Sequence, residues 1–118
     1  MAIKTTRLPG VLLIDDPGNA GQIPVPDHHN FVCLLTSGGT NETRVMAVCK
    51  FVGQRATIAL DVDGGGNVEI NIGGDMNSAG NDTATFANAG QAIDIVGVQV
   101  SGALRWRCVV ADPTSILS

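Results

Sequence analysis

The stretch from Arg55 to Ile72, RATIALDVDGGGNVEINI, decides how the chain is to be read. Ala56, Ile58, Leu60 and Val62 fall on one side of an extended chain, with Arg55, Thr57, Ala59 and Asp61 on the other. Val68, Ile70 and Ile72 alternate in the same way with Asn67, Glu69 and Asn71. A period of two marks strands with one buried face. Between the runs, Asp63-Gly64-Gly65-Gly66-Asn67 is rich in residues that accept positive φ, so a hairpin of 55–62 with 67–72 is expected.

Working towards the carboxy terminus, 92–100 and 103–110 form a second expected hairpin around Ser101-Gly102. Leu104, Trp106, Cys108 and Val110 share its inner face, and Arg105 and Arg107 project from the other. In the preceding strand the inner parity switches from Ile93 and Ile95 to Val96, Val98 and Val100. A bulge near Gly97 accounts for that switch. Towards the amino terminus, strands are expected at 11–15 and 31–36, then at 43–50, with another at 83–86. Turn-rich pieces (Asp16-Pro17-Gly18-Asn19, Ser37 to Asn41, Gly73 to Asp82) separate them, and no segment has apolar residues at helical spacing. No internal repeat stands out. About eight short strands predict an all-β fold, a small β-sandwich, jelly roll or barrel. Residues 16–30 hold three of the five prolines, and proline lacks an amide donor. With residues 1–10 they read as an extended N-terminal arm or edge over 1–30, followed by a β-rich domain over 31–118.

One domain is the natural content of 118 residues and 12.1 kDa. A chain of this length buries enough surface to fold without disulfides or a structural metal. Its fifteen glycines suit many tight turns. The formal net charge is −4, which argues against nucleic acid as a partner, since phosphate recognition needs a basic face. The balance is uneven: residues 1–7 carry Lys4 and Arg7 and no acid. That composition reads either as a solvated terminus or as an arm that docks on an acidic partner. Cys33, Cys49 and Cys108 lie in apolar runs, where free thiols act as small hydrophobes. The apolar stretch near the start, GVLLI, is too short for a signal peptide or a membrane span. Synthesis in a reducing cytoplasm, with no membrane partner, is therefore expected.

Candidate chemistry is thin. Asp61-Val62-Asp63-Gly64 resembles the opening of a calcium loop, but the twelfth position, Ile72, is not the required Glu. The segment is explained as a turn. Asp27, His28 and His29 sit in the proline-rich stretch, where adjacent side chains point apart and do not share a metal. Cys33 is expected to be buried and a poor nucleophile. No nucleophile elbow, zinc motif or phosphate loop is present. The expectation is a protein without catalytic residues, metal or cofactor. Arg105 and Arg107 fit a partner surface, because arginine combines apolar contact with forked hydrogen bonding. They fit equally an exposed strand face kept soluble by charge, with Asp94 pairing one of them.

GQRATIALDVDGGGNVEI, followed by NDTATFANAGQAIDIVGVQVSGALRWRCVV, resembles a module of tailed-bacteriophage and prophage virion proteins. The likeness lies in a GQ-x-x-T-I strand, a later AG-[DQ]-x-I-x-[IL] strand and a G-x-x-x-W-R hairpin, over about residues 53–110. Such modules occur in tail fibres and in capsid accessory proteins. The chain length and N-terminal extension resemble those of capsid decoration (cement) proteins. That resemblance implies a virion protein on the capsid surface, bound to the major capsid protein as a homotrimer and held by an N-terminal arm. Lys4, Arg7, Leu8, Val11 and Leu12, with Arg105 and Arg107, are then the expected partner-binding residues. The alternatives are a tail-fibre or tail-adaptor component and, in another class, a carbohydrate-binding module. The last is weakened by an aromatic set limited to Phe31, Phe51, Phe86 and Trp106. An enzyme would have to draw its histidine from His28 or His29.

Overall fold

A computed structural model describes residues 3–5 and 11–118. Ten strands occur among them: β1 (Ile3–Thr5), β2 (Val11–Asp15), β3 (Gly21–Ile23), β4 (Asn30–Thr36), β5 (Glu42–Met46), β6 (Arg55–Val62), β7 (Val68–Asn71), β8 (Thr83–Phe86), β9 (Ala92–Val100) and β10 (Ala103–Asp112). A 3-10 turn, Thr114–Ile116, follows. The strands form two open, mixed sheets, of order β1-β2-β4-β6-β9-β10 and β3-β5-β7-β8. The protein is all-β, as expected. Its inward side chains from both sheets, among them Ile14, Phe31, Ile58, Ile93 and Trp106 from the first and Ile23, Met46, Ile70 and Phe86 from the second, join one core.

The expected hairpin of 55–62 with 67–72 does not form. β6 pairs with β4 and β9 in the first sheet, and β7 with β5 and β8 in the second. Period-two alternation specifies a strand with a buried face and leaves its partner open. The glycines between the two runs serve another purpose. The connection 63–67 crosses between the sheets directly against the connection 37–41. Gly66 N–H donates to Gly38 O at 2.9 Å, and Gly64 N–H to Ser37 Oγ at 2.9 Å. A Cβ on Gly66 would stand 1.9 Å from Thr40 O, and one on Gly64 2.3 Å from Ser37 O. Gly64 and Gly66 are there because two backbones touch, and Gly65 because its φ is 114°.

The same crossing is made three times. β2 leads to β3, β4 to β5 and β6 to β7, each from the first sheet to the second, so β2, β4 and β6 are parallel, as are β3, β5 and β7. Parallel neighbours need a long return path, and here the opposite sheet supplies it. Leu12, Phe31 and Ala56 stack in register, as do Ile14, Cys33 and Ile58. The chain is thus wound as a short coil, a repeat absent from the sequence reading. Antiparallel strands flank it: β1 on β2, β9 and β10 beyond β6, and β8 on β7. Residues 11–30, read in the sequence as arm or edge, supply β2 inside the first sheet and β3 at the edge of the second.

The β9–β10 hairpin forms as expected, around Ser101 and Gly102 with φ of 50° and 82°. Two positive values in succession match the right-handed twist of the flanking strands. The expected bulge is elsewhere, however. Ile93, Ile95 and Gly97 keep one inward parity through β9, and the register shifts in β10 between Cys108 and Val110. Val110 therefore turns outward, 56% exposed, and Ala111 takes its place against the core. Gly97 is the small residue this face demands: a Cβ there would lie 2.6 Å from Phe51 O and 2.8 Å from Cys49 Sγ. Trp106 is buried as expected. It meets Phe31 edge-on at 6.1 Å, and its indole N–H donates to Ala47 O at 2.9 Å.

Two Gly-Gln turns launch β6 and β9. Gly53 and Gly90 have φ of 90° and 92°. Gln54 Oε1 accepts Lys50 N–H at 2.7 Å, and Gln91 Oε1 accepts Ala87 N–H at 2.6 Å, each four residues back. Buried Gln54 also donates Nε2–H to Pro26 O and His29 O, both at 2.8 Å, and so pins the proline-rich return.

Candidate functional site

The residues read first for chemistry are structural or solvated. Asp27, His28 and His29 are exposed on the return before β4. Asp61 is exposed, and Asp63 Oδ1 accepts the Gly65 amide at 2.8 Å and the Ser37 hydroxyl at 3.3 Å, the bonds of a turn. Cys33 and Cys49 are buried free thiols, and Cys108 is half-buried. Desolvation pushes the Cys33 thiol up to about 12, which leaves it without thiolate at neutral pH. Among the described residues no cavity opens, and no cluster of His, Cys, Asp or Glu could hold a metal. No helix among them is long and apolar enough to cross a membrane.

An ionic cluster went unnoticed in the sequence. The Arg44 side chain is wholly buried on β5, with Gly21 as its ladder neighbour on β3. Its Nε and Nη2 reach the two oxygens of Asp16 at 2.7 and 3.0 Å, and Nη2 also donates to Glu42 Oε1 at 2.8 Å. Asp16 in turn accepts the Thr36 and Gly18 amides. Burial alone would raise the Asp16 pKa, but the Arg44 bond and the two amides outweigh it and hold the carboxyl below its ordinary value. Glu42 is lowered by the Gly38 amide and by Arg44. Every donor of this cluster is directed at the chain's own crossings, so its work is to fasten β2 and β4 of the first sheet to β5 of the second.

The surface that remains is the outer face of the six-stranded sheet. The two sheets differ sharply here. The outward positions of the four-stranded sheet, Gln22, Thr43, Glu69, Asn71, Thr83 and Thr85, are polar, with Val45 the one exception. The outward positions of the first sheet are more apolar, with Leu13 and Val32, Leu34 and Ala59, Ala92 and Val96, and Val98 and Val110, interrupted by Asn30, Thr36 and Thr57. Leu34 is 40% exposed. Its charges are segregated. Arg55, Arg105 and Arg107 lie towards the starts of β6 and β10, and Asp15, Asp61 and Asp112 towards the ends of β2, β6 and β10. Asp94 sits between, paired with Arg55 at 3.2 Å and accepting the Thr57 hydroxyl at 3.1 Å. The pairing of Asp94 with Arg105 or Arg107 weighed from the sequence is therefore replaced by one with Arg55.

The residues named as partner-binding separate. Arg7 and Leu8 lie outside the described residues, and of Lys4 only its backbone place opposite Leu13 is described. Val11 is on the outer face, whereas Leu12 packs against the core. Arg105 and Arg107 are at the far edge, on β10, where Arg107 donates to Asp75 O in the β7–β8 connection. Val11 and Arg107 nevertheless share one cross-strand row, through Asn30, Arg55 and Val96. The sequence signal for the rest of the face was available: Val32, Leu34, Val96 and Val98 are apolar at positions that alternation assigns to the outside. No protein-family model, no curated protein and no solved structure matches the chain.

Proposed function

We propose that this chain is a non-enzymatic structural protein that docks in a larger protein assembly, as the capsid decoration proteins of tailed phages dock on the major capsid protein. The observation that carries this reading is the outer face of the six-stranded sheet, whose apolar positions are crossed at the centre by Thr57 and the Arg55–Asp94 pair and stand opposite a polar second sheet. Apolar side chains left half-exposed on a sheet face, as Leu13, Val32, Val96 and Val98 are here with Leu34 and Val110 exposed, suit an interaction surface. The resemblance of residues 53–110 to virion modules supplies the kind of assembly. In this reading the two sheets form a β-sandwich with the chain wound between them, a unit that needs no catalytic group and resists unfolding. The test is density-gradient separation of virions of the phage encoding the chain, followed by mass spectrometry of heads and tails. Recovery with heads, in fixed proportion to the major capsid protein, supports it. A chain left at the top of the gradient contradicts it.

A second reading, a tail-fibre or tail-adaptor unit, is favoured by the parallel winding of β2 to β7, because coiled β units are readily extended by further turns. It predicts recovery with the tail fraction instead.

A further inference from the structure

The segment after β10 closes a sheet edge. It passes through exposed Asp112, Pro113, Thr114 and Ser115 and crosses to the four-stranded sheet. There Leu117 lies antiparallel to Ala84 on β8, the strand that ends this sheet. Ser118 N–H donates to Thr83 O at 2.8 Å, and Ser118 O accepts the amides of Thr83 and Asp82 at 3.0 and 3.1 Å. Ile116 is seated in the core, 3% exposed, and Leu117 packs against it. Residues 116–118 are thus a short strand laid on an edge, with one apolar side chain filling the slot beneath. We propose that the edge of β8 is a strand-acceptor site, held closed by residues 113–118 until an extended strand of the assembly partner displaces them. The inference rests on the reading of the chain as an assembly component and names how the partner is held.

An edge strand offers N–H and C=O groups to any extended chain, so proteins cover or blunt it. The strands that end the two sheets at β10 and β8 are covered differently. Along β10, Cys108 N–H donates to Met76 O at 2.8 Å, and Arg107 donates to Asp75 O. Met76 is fully buried within the β7–β8 connection, so that cover cannot lift without opening the core. The cover on β8 is lightly held. Its anchors are Ile116 and half-buried Leu117, and its 3-10 turn has no side-chain cap. Among the described residues no ion pair reaches it. Segments with few buried apolar contacts open at lower free energy than the core around them. Lifting this one frees the Thr83 N–H and C=O beside the slot of Ile116. Those are the two elements by which strand addition takes up a chain, main-chain bonds for affinity and a side-chain pocket for specificity. The occupant that fits is an extended segment antiparallel to β8, with an aliphatic side chain in the place of Ile116.

Hydrogen exchange of the full wild-type chain, read by NMR, tests the lifting. The amides of Asp82, Thr83 and Ser118 are expected to exchange together, at least roughly tenfold faster than those of β4 and β6. Exchange of these three only together with the core overturns the proposal. A disulfide then tests the displacement. Ala84→Cys with Leu117→Cys puts two thiols on a directly opposed antiparallel pair, whose spacing suits the bond. Reduced, this double variant should bind phage heads lacking the chain as the wild type does. Oxidised, it should bind about tenfold or more weakly, because the acceptor state is no longer populated, and reduction should restore it. Wild-type protein under the same oxidant controls for Cys33, Cys49 and Cys108. Equal binding by the oxidised and reduced forms overturns the proposal. Heads that bind neither the variant nor the wild type mark the failure of the assembly reading, and the inference falls with it. If the double variant does not fold, the exchange measurement on the wild type still decides.

Discussion

Arg44 Nε lies 2.7 Å from Asp16 Oδ1, which ties the middle of the four-stranded sheet to the end of β2 in the six-stranded one. The guanidinium is fully buried, and among the described residues Glu42 at 2.8 Å is its one other carboxylate. Replacing Asp16 with Ala strands a buried cation with one remaining counter-charge. The expected loss is about 3 kcal/mol, the low end of the cost of breaking a buried pair. Urea unfolding followed by circular dichroism measures it.

The same cluster sets an acid limit. The folded-state pKa values of Asp16 and Glu42 are both depressed, so their stabilisation is present above the unfolded values and is lost as pH falls through the folded ones. The Arg44 pKa is raised, and its contribution would be lost only at strongly alkaline pH. Melting temperature is therefore expected to fall below about pH 4, where free carboxylic acids titrate. The fall should be shallower in Arg44→Met, and equal slopes for the two proteins would remove the cluster from the explanation.

Glycine substitutions separate close approach from turn geometry. Gly66→Ala places a methyl 1.9 Å from Thr40 O, a backbone atom that cannot swing aside. A loss of about 3 kcal/mol or more is expected, in the range of severe overpacking. Gly102 has φ of 82° and open space around its Cα, so Gly102→Ala should cost only about 1–2 kcal/mol of backbone strain. Thermal melts of the two variants give the order.

Trp106→Ala removes the largest buried side chain, with its contact to Phe31 and its bond to Ala47 O. A loss of about 3–5 kcal/mol is expected. Trp106→Phe keeps the ring contact, gives up the indole bond and should cost less. Circular dichroism must report both, since Trp106 is the one tryptophan.

Most strands other than β1 and β3 were legible in the sequence, but of their pairings only that of β9 with β10 was. The bounds of β6, β8 and β9 follow from alternation, because a residue that faces the core must be apolar whichever strand lies beside it. Pairing of β6 with β4 depends on the opposite sheet supplying the return path, and the winding is hidden by spacings of nineteen residues from Leu12 to Phe31 and twenty-five from Phe31 to Ala56. Asp63 to Asn67 looked like a hairpin turn because glycine serves positive φ and tight backbone contact equally. The bulge was displaced for a related reason. Val109 and Val110 both suit a buried strand, so nothing in their chemistry marks where the parity breaks. Of the residues named for a partner surface, Val11, Arg105 and Arg107 lie on the outer face of the six-stranded sheet. Val96 and Val98 passed as inward-facing, since apolar residues on both sides of a strand usually mean burial on both faces.

The central claim is that the outer face of the six-stranded sheet is covered when the protein assembles. Carbene footprinting read by mass spectrometry, comparing the free protein with the protein bound to phage heads, tests it at the side chains themselves. Labelling of Leu13, Val32, Leu34 and Val110 is expected to fall on binding, while Val45 on the polar second sheet keeps its reactivity. Unchanged labelling of the first group, or protection centred on Val45, would contradict the claim.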